Sequence, residues 1–187
     1  MQLTGLCGGA LVSPRVVLSA FHCTHKNGET EPCDHSDEQR LAVLGTNVFR
    51  MGELRKYMTI PIIKVLVPKH AGLHKWHENR HDFALLVLKS PARMTSKIGP
   101  ICLPEPNAEF GWKKATAAGW GRTNGPTISR QQSPVLKKVQ LTVSKKTYWH
   151  HQMFGTRVSQ KDNLYQDPAL VTQVGYLFIY IWDHPHL

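Results

Sequence analysis

Two short apolar runs split by a proline constrain this chain more than any other feature. Cys7-Gly8-Gly9-Ala10-Leu11-Val12-Ser13 is followed by Val16-Val17-Leu18-Ser19-Ala20-Phe21-His22-Cys23. Residues 7–23 therefore predict two β-strands separated by the turn Ser13-Pro14-Arg15, with Val16-Val17-Leu18 branched and apolar enough for a buried strand. Pro14 has no N–H to give to a helix or a central ladder, so the chain turns there. The second run ends with a histidine against a cysteine.

The same punctuation continues along the chain. Thr24–Gln39 is polar, contains Asn27-Gly28 and Glu31-Pro32, and reads as a loop. Arg40-Leu41-Ala42-Val43-Leu44-Gly45 predicts a strand. Tyr57–Val67 predicts another, with Ile60, Ile62, Ile63, Val65 and Val67, edged by Pro61 and closed by Pro68. His81–Leu88 supplies a further strand, and this first set ends near Arg93. Pro100, Pro104 and Pro106 stiffen Ile98–Phe110 as a crossing segment. A second set begins at Lys113–Gly121, passes through the loop Arg122–Ser133 and continues in the alternating run Pro134–Val143. No internal repeat recurs at a fixed period.

Four motifs in order now carry a resemblance. Cys7–Ser13 with Val16–Cys23, then His81-Asp82-Phe83-Ala84-Leu85-Leu86-Val87-Leu88, Pro100-Ile101-Cys102-Leu103-Pro104 and Ala118-Gly119-Trp120-Gly121 together resemble the trypsin/chymotrypsin-like serine proteases. The resemblance implies an all-β fold of two antiparallel six-stranded barrels, the second incomplete. On that reading residues 1–97 form the first barrel, 98–112 the linker, 113–168 a partial second barrel and 169–187 a tail outside the family pattern. It also implies a secreted endopeptidase that acts on protein or peptide substrates without a cofactor. Cys7 and Cys23 are expected to pair as a disulfide, beside the histidine. Phe21 stands where the family usually has alanine.

In the mechanism that the resemblance implies, a hydroxyl nucleophile gives its proton to a histidine whose tautomer a carboxylate holds. His22 matches the base and Asp82 the orienting carboxylate. The nucleophile belongs in Gly-Asp-Ser-Gly-Gly, whose backbone amides also make the oxyanion hole, and this sequence does not contain it. Ser133, Ser144 and Ser159 lie in no glycine-rich elbow and read as turn or surface serines. The genetic code suggests a reason. Pro168–Gly175 can be encoded so that reading from the third base of the proline codon gives Cys-Ala-Gly-Asp-Ser-Gly-Gly. A shifted frame near Pro168 is therefore expected, with Tyr176–Leu187 as out-of-frame residues.

Charge and cysteine usage narrow the partners. A net charge of +10 and a pI near 9.6 make an anionic surface a candidate weak partner, whereas no basic run interleaved with aromatics suggests specific nucleic-acid binding. Four cysteines without a C-x-x-C pair argue against structural zinc. Cys33 and Cys102 are left over, and in the family the latter position often bonds to a segment upstream of the protease domain. No signal peptide is recognised in Met1–Leu6, so an incomplete N-terminus is expected. The late apolar run Tyr176–Trp182 is too short to span a membrane and has the composition of an aggregation-prone strand. Two competing readings stand beside the protease. One is a non-catalytic homologue that binds or regulates. The other is zinc chemistry at His77-Glu78-Asn79-Arg80-His81, a literal H-E-x-x-H disfavoured because His81 leads straight into a strand.

Overall fold

A computed structural model of the 187-residue chain describes residues 7–24, 40–50, 53, 56–69, 82–121, 133–148, 153–158 and 178–180. Among them there are nine β-strands and no α-helix. The chain divides into two compact units, Met1–Cys102 and Leu103–Leu187. The first unit holds β1 (Ala10–Ser13), β2 (Val16–Ser19), β3 (Leu41–Leu44), β4 (Met58–Leu66) and β5 (Ala84–Leu88). They form one antiparallel sheet in the order β1-β2-β5-β4-β3. The second unit holds β6 (Lys114–Gly119), β7 (Lys137–Tyr148), β8 (Met153–Val158) and β9 (Phe178–Tyr180), ordered β8-β7-β6-β9. The expected six strands of each barrel are represented by five and four among the described residues.

The hairpin forms where the proline places it, with Ala10 opposite Leu18 and Ser13 opposite Val16. The expected strand through Cys23 stops earlier, at Ser19, because Ala20–Thr24 turns out of the sheet. Gly9 explains why the Cys-Gly-Gly segment can lie flat against β2. A Cβ there would stand 2.5 Å from Val17 Cγ1, closer than carbon atoms approach. Ser19, 4% exposed, donates its hydroxyl to the Gly8 carbonyl at 2.8 Å, so the buried polar group is satisfied while the segment is tied down.

Pro61 departs from expectation in an instructive way. The sequence predicts a proline at the edge of its strand, yet Pro61 lies inside β4, which is flanked by β3 and β5. Residues 58–61 of β4 pair with β3 and residues from Ile62 onward pair with β5, so Pro61 stands where the strand changes partner. Its missing N–H leaves the Lys89 carbonyl without a return ladder bond, and that carbonyl accepts from Arg15 Nη2 at 3.2 Å instead. The Pro61 carbonyl accepts from Lys89 N–H at 2.8 Å, and the next amide, of Ile62, donates to the Arg40 carbonyl at 2.9 Å.

The core of the first unit is Leu11, Val17, Ile60, Leu88, Ala92 and Ile98, flanked by Ala42, Leu44, Met58, Ile62 and Leu86. Gly45, at φ 77°, makes a left-handed bend with Ile98 Cδ1 2.9 Å from where a Cβ would sit. In the second unit Ala115, Ala117, Leu141 and Val143 are buried, every second residue of their strands. A turn forms at Asn107, with φ 65° and an Ala108 N–H to Glu105 carbonyl bond of 3.1 Å. The late apolar run contributes β9, which pairs Ala117 with Ile179. No helix among the described residues is long and apolar enough to cross a membrane.

Candidate active site

The register of β2 against β5 assembles the site. Val16 lies opposite Val87 and Ser19 opposite Ala84, so the chain leaving β2 emerges beside the chain entering β5. His22 follows Ser19 by three residues and Asp82 precedes Ala84 by two. Two residues 60 positions apart thus meet at one end of a strand pair.

His22 sits in a single 3-10 turn, Phe21–Cys23. Ala20 before it is extended (φ −89°, ψ 146°), and the Phe21 carbonyl accepts from the Thr24 amide at 2.8 Å and the Thr24 hydroxyl at 2.7 Å. Thr24 is 1% exposed, so these two hydrogen bonds lie in a dry environment where they are strong. Arg40 donates from Nη2 to the Thr24 carbonyl at 3.1 Å and fastens the far side of the turn. Phe21 is the buried residue of the turn.

Asp82 contacts His22 twice. Its Oδ1 accepts the His22 backbone N–H at 2.9 Å, and its Oδ2 lies 2.7 Å from Nδ1 of the ring. A carboxylate can only accept, so Nδ1 carries the proton and a neutral ring has its basic lone pair on Nε2. The imidazole side chain is 52% exposed and the carboxylate 25%. The hydrogen bond to Asp82 raises the pKa of His22 against the opposing pull of partial burial, and the Asp82 charge and the neighbouring Cys7 thiol add to the rise. Burial is the largest influence on Asp82 and pushes its pKa up. It is outweighed by the His22 ring, the His22 amide and the Phe21 amide, so the carboxyl lies below its ordinary value.

The remaining predicted residues are distributed unevenly. Cys7 is exposed and Cys23 half-buried at either end of the hairpin, and Cys102 is exposed after the Ile101 amide has bonded the Leu11 carbonyl at 2.7 Å. Ser133 makes a turn, accepting from Val135 N–H at 3.3 Å and donating to the Val135 carbonyl at 2.7 Å. Ser144 lies within β7. Cys33, Ser159 and the histidines of the H-E-x-x-H string lie outside the described residues. Among the described residues no group of three or more metal-ligating side chains occurs. Sequence reasoning missed the amides of Phe21 and His22 and the hydroxyls of Ser19 and Thr24. The two hydroxyl residues bracketing an apolar run were the available signal; the amides had none.

Known proteins resemble the chain in sequence and in fold. The family model described as Trypsin matches residues 1–167. The chain is 34% identical over 140 residues to granzyme F of Mus musculus, covering 74% of this chain and 49% of that protein. It is 33% identical over 158 residues to the proclotting enzyme of Tachypleus tridentatus, covering 78% of this chain and 36% of the other. The chain therefore spans at most about half the length of these curated relatives. The solved structure of neuropsin, described as a serine protease expressed in the limbic system of mouse brain, superposes with a TM-score of 0.62 at 20% identity, over 82% of this chain and 64% of that one; this is a likeness of fold. Motifs, fold and family match together place the chain in the trypsin/chymotrypsin-like serine protease family.

Proposed function

We propose that His22 and Asp82 are the general base and its orienting carboxylate in a secreted serine endopeptidase that cleaves proteins or peptides through an acyl-enzyme. The observation that carries this is the 2.7 Å contact between Nδ1 and Oδ2, backed by the second bond from the His22 amide. Together they hold one tautomer and one ring orientation, with Nε2 as the atom that takes the nucleophile's proton and later returns it to the leaving amine. The Cys7–Cys23 disulfide belongs to this proposal.

The serine is proposed to come from the alternative frame. The family match ends at residue 167, next to the proline codon at which Cys-Ala-Gly-Asp-Ser-Gly-Gly can be read. Sequencing the transcript across the codons for Asp167–Tyr176 tests this directly. The protein translated from a frame carrying the motif is expected to hydrolyse peptide amides, and Asp82→Asn is expected to lower its kcat by about 10⁴-fold. Intact activity in that variant overturns the assignment.

A second reading rests on the absence of Gly-Asp-Ser-Gly-Gly from the 187 residues. A homologue that keeps the first sheet and binds without cleaving fits that absence. An abundant transcript whose reading frame encodes Pro168–Leu187 unchanged, yielding folded protein without hydrolytic activity, favours this reading over the enzyme.

A further inference from the structure

Arg40 uses both its backbone and its side chain to join elements that are far apart in the chain. Its carbonyl accepts the Ile62 N–H at 2.9 Å, at the point where β4 changes partner, and its Nη2 donates to the Thr24 carbonyl at 3.1 Å. Thr24 closes the 3-10 turn that carries His22, since its amide and its hydroxyl both bond the Phe21 carbonyl. One half-buried arginine therefore links the histidine's turn to the middle of β4.

That link completes a circuit of elements. β4 pairs with β5 through Val65 opposite Leu86 and Leu66 opposite Leu85, and β5 begins two residues after Asp82. β5 in turn pairs with β2, which ends three residues before His22. The histidine is thus held relative to Asp82 by two routes, one through the β2–β5 ladder and one through Arg40, β4 and β5. The first route enters the turn from Ser19 and the second at Thr24, so the turn is fastened at both ends.

We propose that Arg40 is a positioning residue for His22, closing this circuit so that the imidazole stays against the Asp82 carboxylate. The inference rests on the reading of His22 as the general base, whose Nε2 must stay aimed at the nucleophile. A misplacement of about 1 Å can cost on the order of 100-fold in rate. A purely electrostatic role is the alternative, because a cation near an imidazole disfavours its protonated form. The two roles differ in sign when the guanidinium is removed. Losing a positive charge raises the His22 midpoint. Losing the position weakens the Asp82 hydrogen bond, the largest influence raising that midpoint, and so lowers it toward the ordinary histidine value. Cys7, the other ionisable group acting on the ring, is the same in every variant.

The test compares Arg40→Gln with the parent chain in an NMR titration of His22 and in hydrogen exchange of the His22 amide, which donates to Asp82 Oδ1 at 2.9 Å. The midpoint is expected to fall and the amide to exchange roughly tenfold faster or more, about the worth of one hydrogen bond. Arg40→Lys keeps a cationic donor, and a single bond to one carbonyl does not need the guanidinium fork, so it is expected to stay near the parent in both. Arg15→Gln controls for lost stability. Arg15 also donates to carbonyls, those of Leu88 and Lys89, but at the opposite end of the β2–β5 pair from His22. It is expected to lower the urea midpoint and leave the His22 titration unmoved. A raised or unchanged His22 midpoint in Arg40→Gln, or an equal fall in Arg15→Gln, overturns the proposal. The readout needs no hydrolysis, so this result and the reading of His22 as a catalytic base stand or fall separately.

Discussion

His22 and Asp82 affect stability in opposite directions on the pH axis, and the sign follows from their shifts. The raised pKa of His22 means that its protonated form interacts fully with Asp82 below the ordinary histidine value, and that gain is lost as pH rises through the folded value. The lowered pKa of Asp82 means that its contribution is present above the ordinary carboxylate value and is lost as pH falls through the folded one. The ion pair therefore stabilises most between the carboxylate and imidazole transitions. As a base, His22 works only when neutral, so activity in the proposed enzyme should rise across the same upper transition. We expect an NMR titration, with His22 assigned from His22→Gln spectra, to give a midpoint above the ordinary histidine value, and Asp82→Asn to move it down. A midpoint unmoved by Asp82→Asn would show that the carboxylate does not hold the ring. No residue of this pair was hidden from sequence reasoning, because each sits in a motif that can be read locally.

At the scale of elements, the β1–β2 hairpin and the turn after it act as one mount for the histidine. Gly9 lets the Cys7–Gly9 segment lie on Val17, Ser19 binds Gly8 from below, and Thr24 closes the turn on the Phe21 carbonyl. Gly9→Ala is expected to destabilise the protein by about 1–3 kcal/mol, because its Cβ meets a buried, branched side chain with little freedom to rotate. Urea unfolding measures the loss, and an unchanged midpoint would mean that the segment lifts away without cost. Strand existence was legible in most of these elements because Val, Ile and Leu runs end at Pro or Gly. Boundaries were less so. The strand expected to run through Cys23 ends at Ser19 since hydroxyl-to-carbonyl bonding offers Ala20–Thr24 an alternative to the ladder.

At the scale of the whole molecule, the described residues of each compact unit include a fully buried leucine, Leu88 in the first and Leu141 in the second, 0% and 1% exposed. Leu88→Ala and Leu141→Ala should each cost about 2–5 kcal/mol. Native-state hydrogen exchange should then show protection falling in β1–β5 for the first variant and in β6–β9 for the second. Equal loss throughout both units in either variant would instead mean a single cooperative core. The amino-acid sequence alone determined the all-β class, the position of the first turn, the candidacy of His22 and Asp82 and the absence of the serine motif, since all of these are properties of residues near one another in the chain. Tertiary structure alone decided that Ser19 faces Ala84, that Pro61 marks the change of partner within β4 and that two backbone amides hold the carboxylate. Each of those depends on strand register between distant segments, and a slip of one residue preserves the local pattern while turning every side chain to the other face.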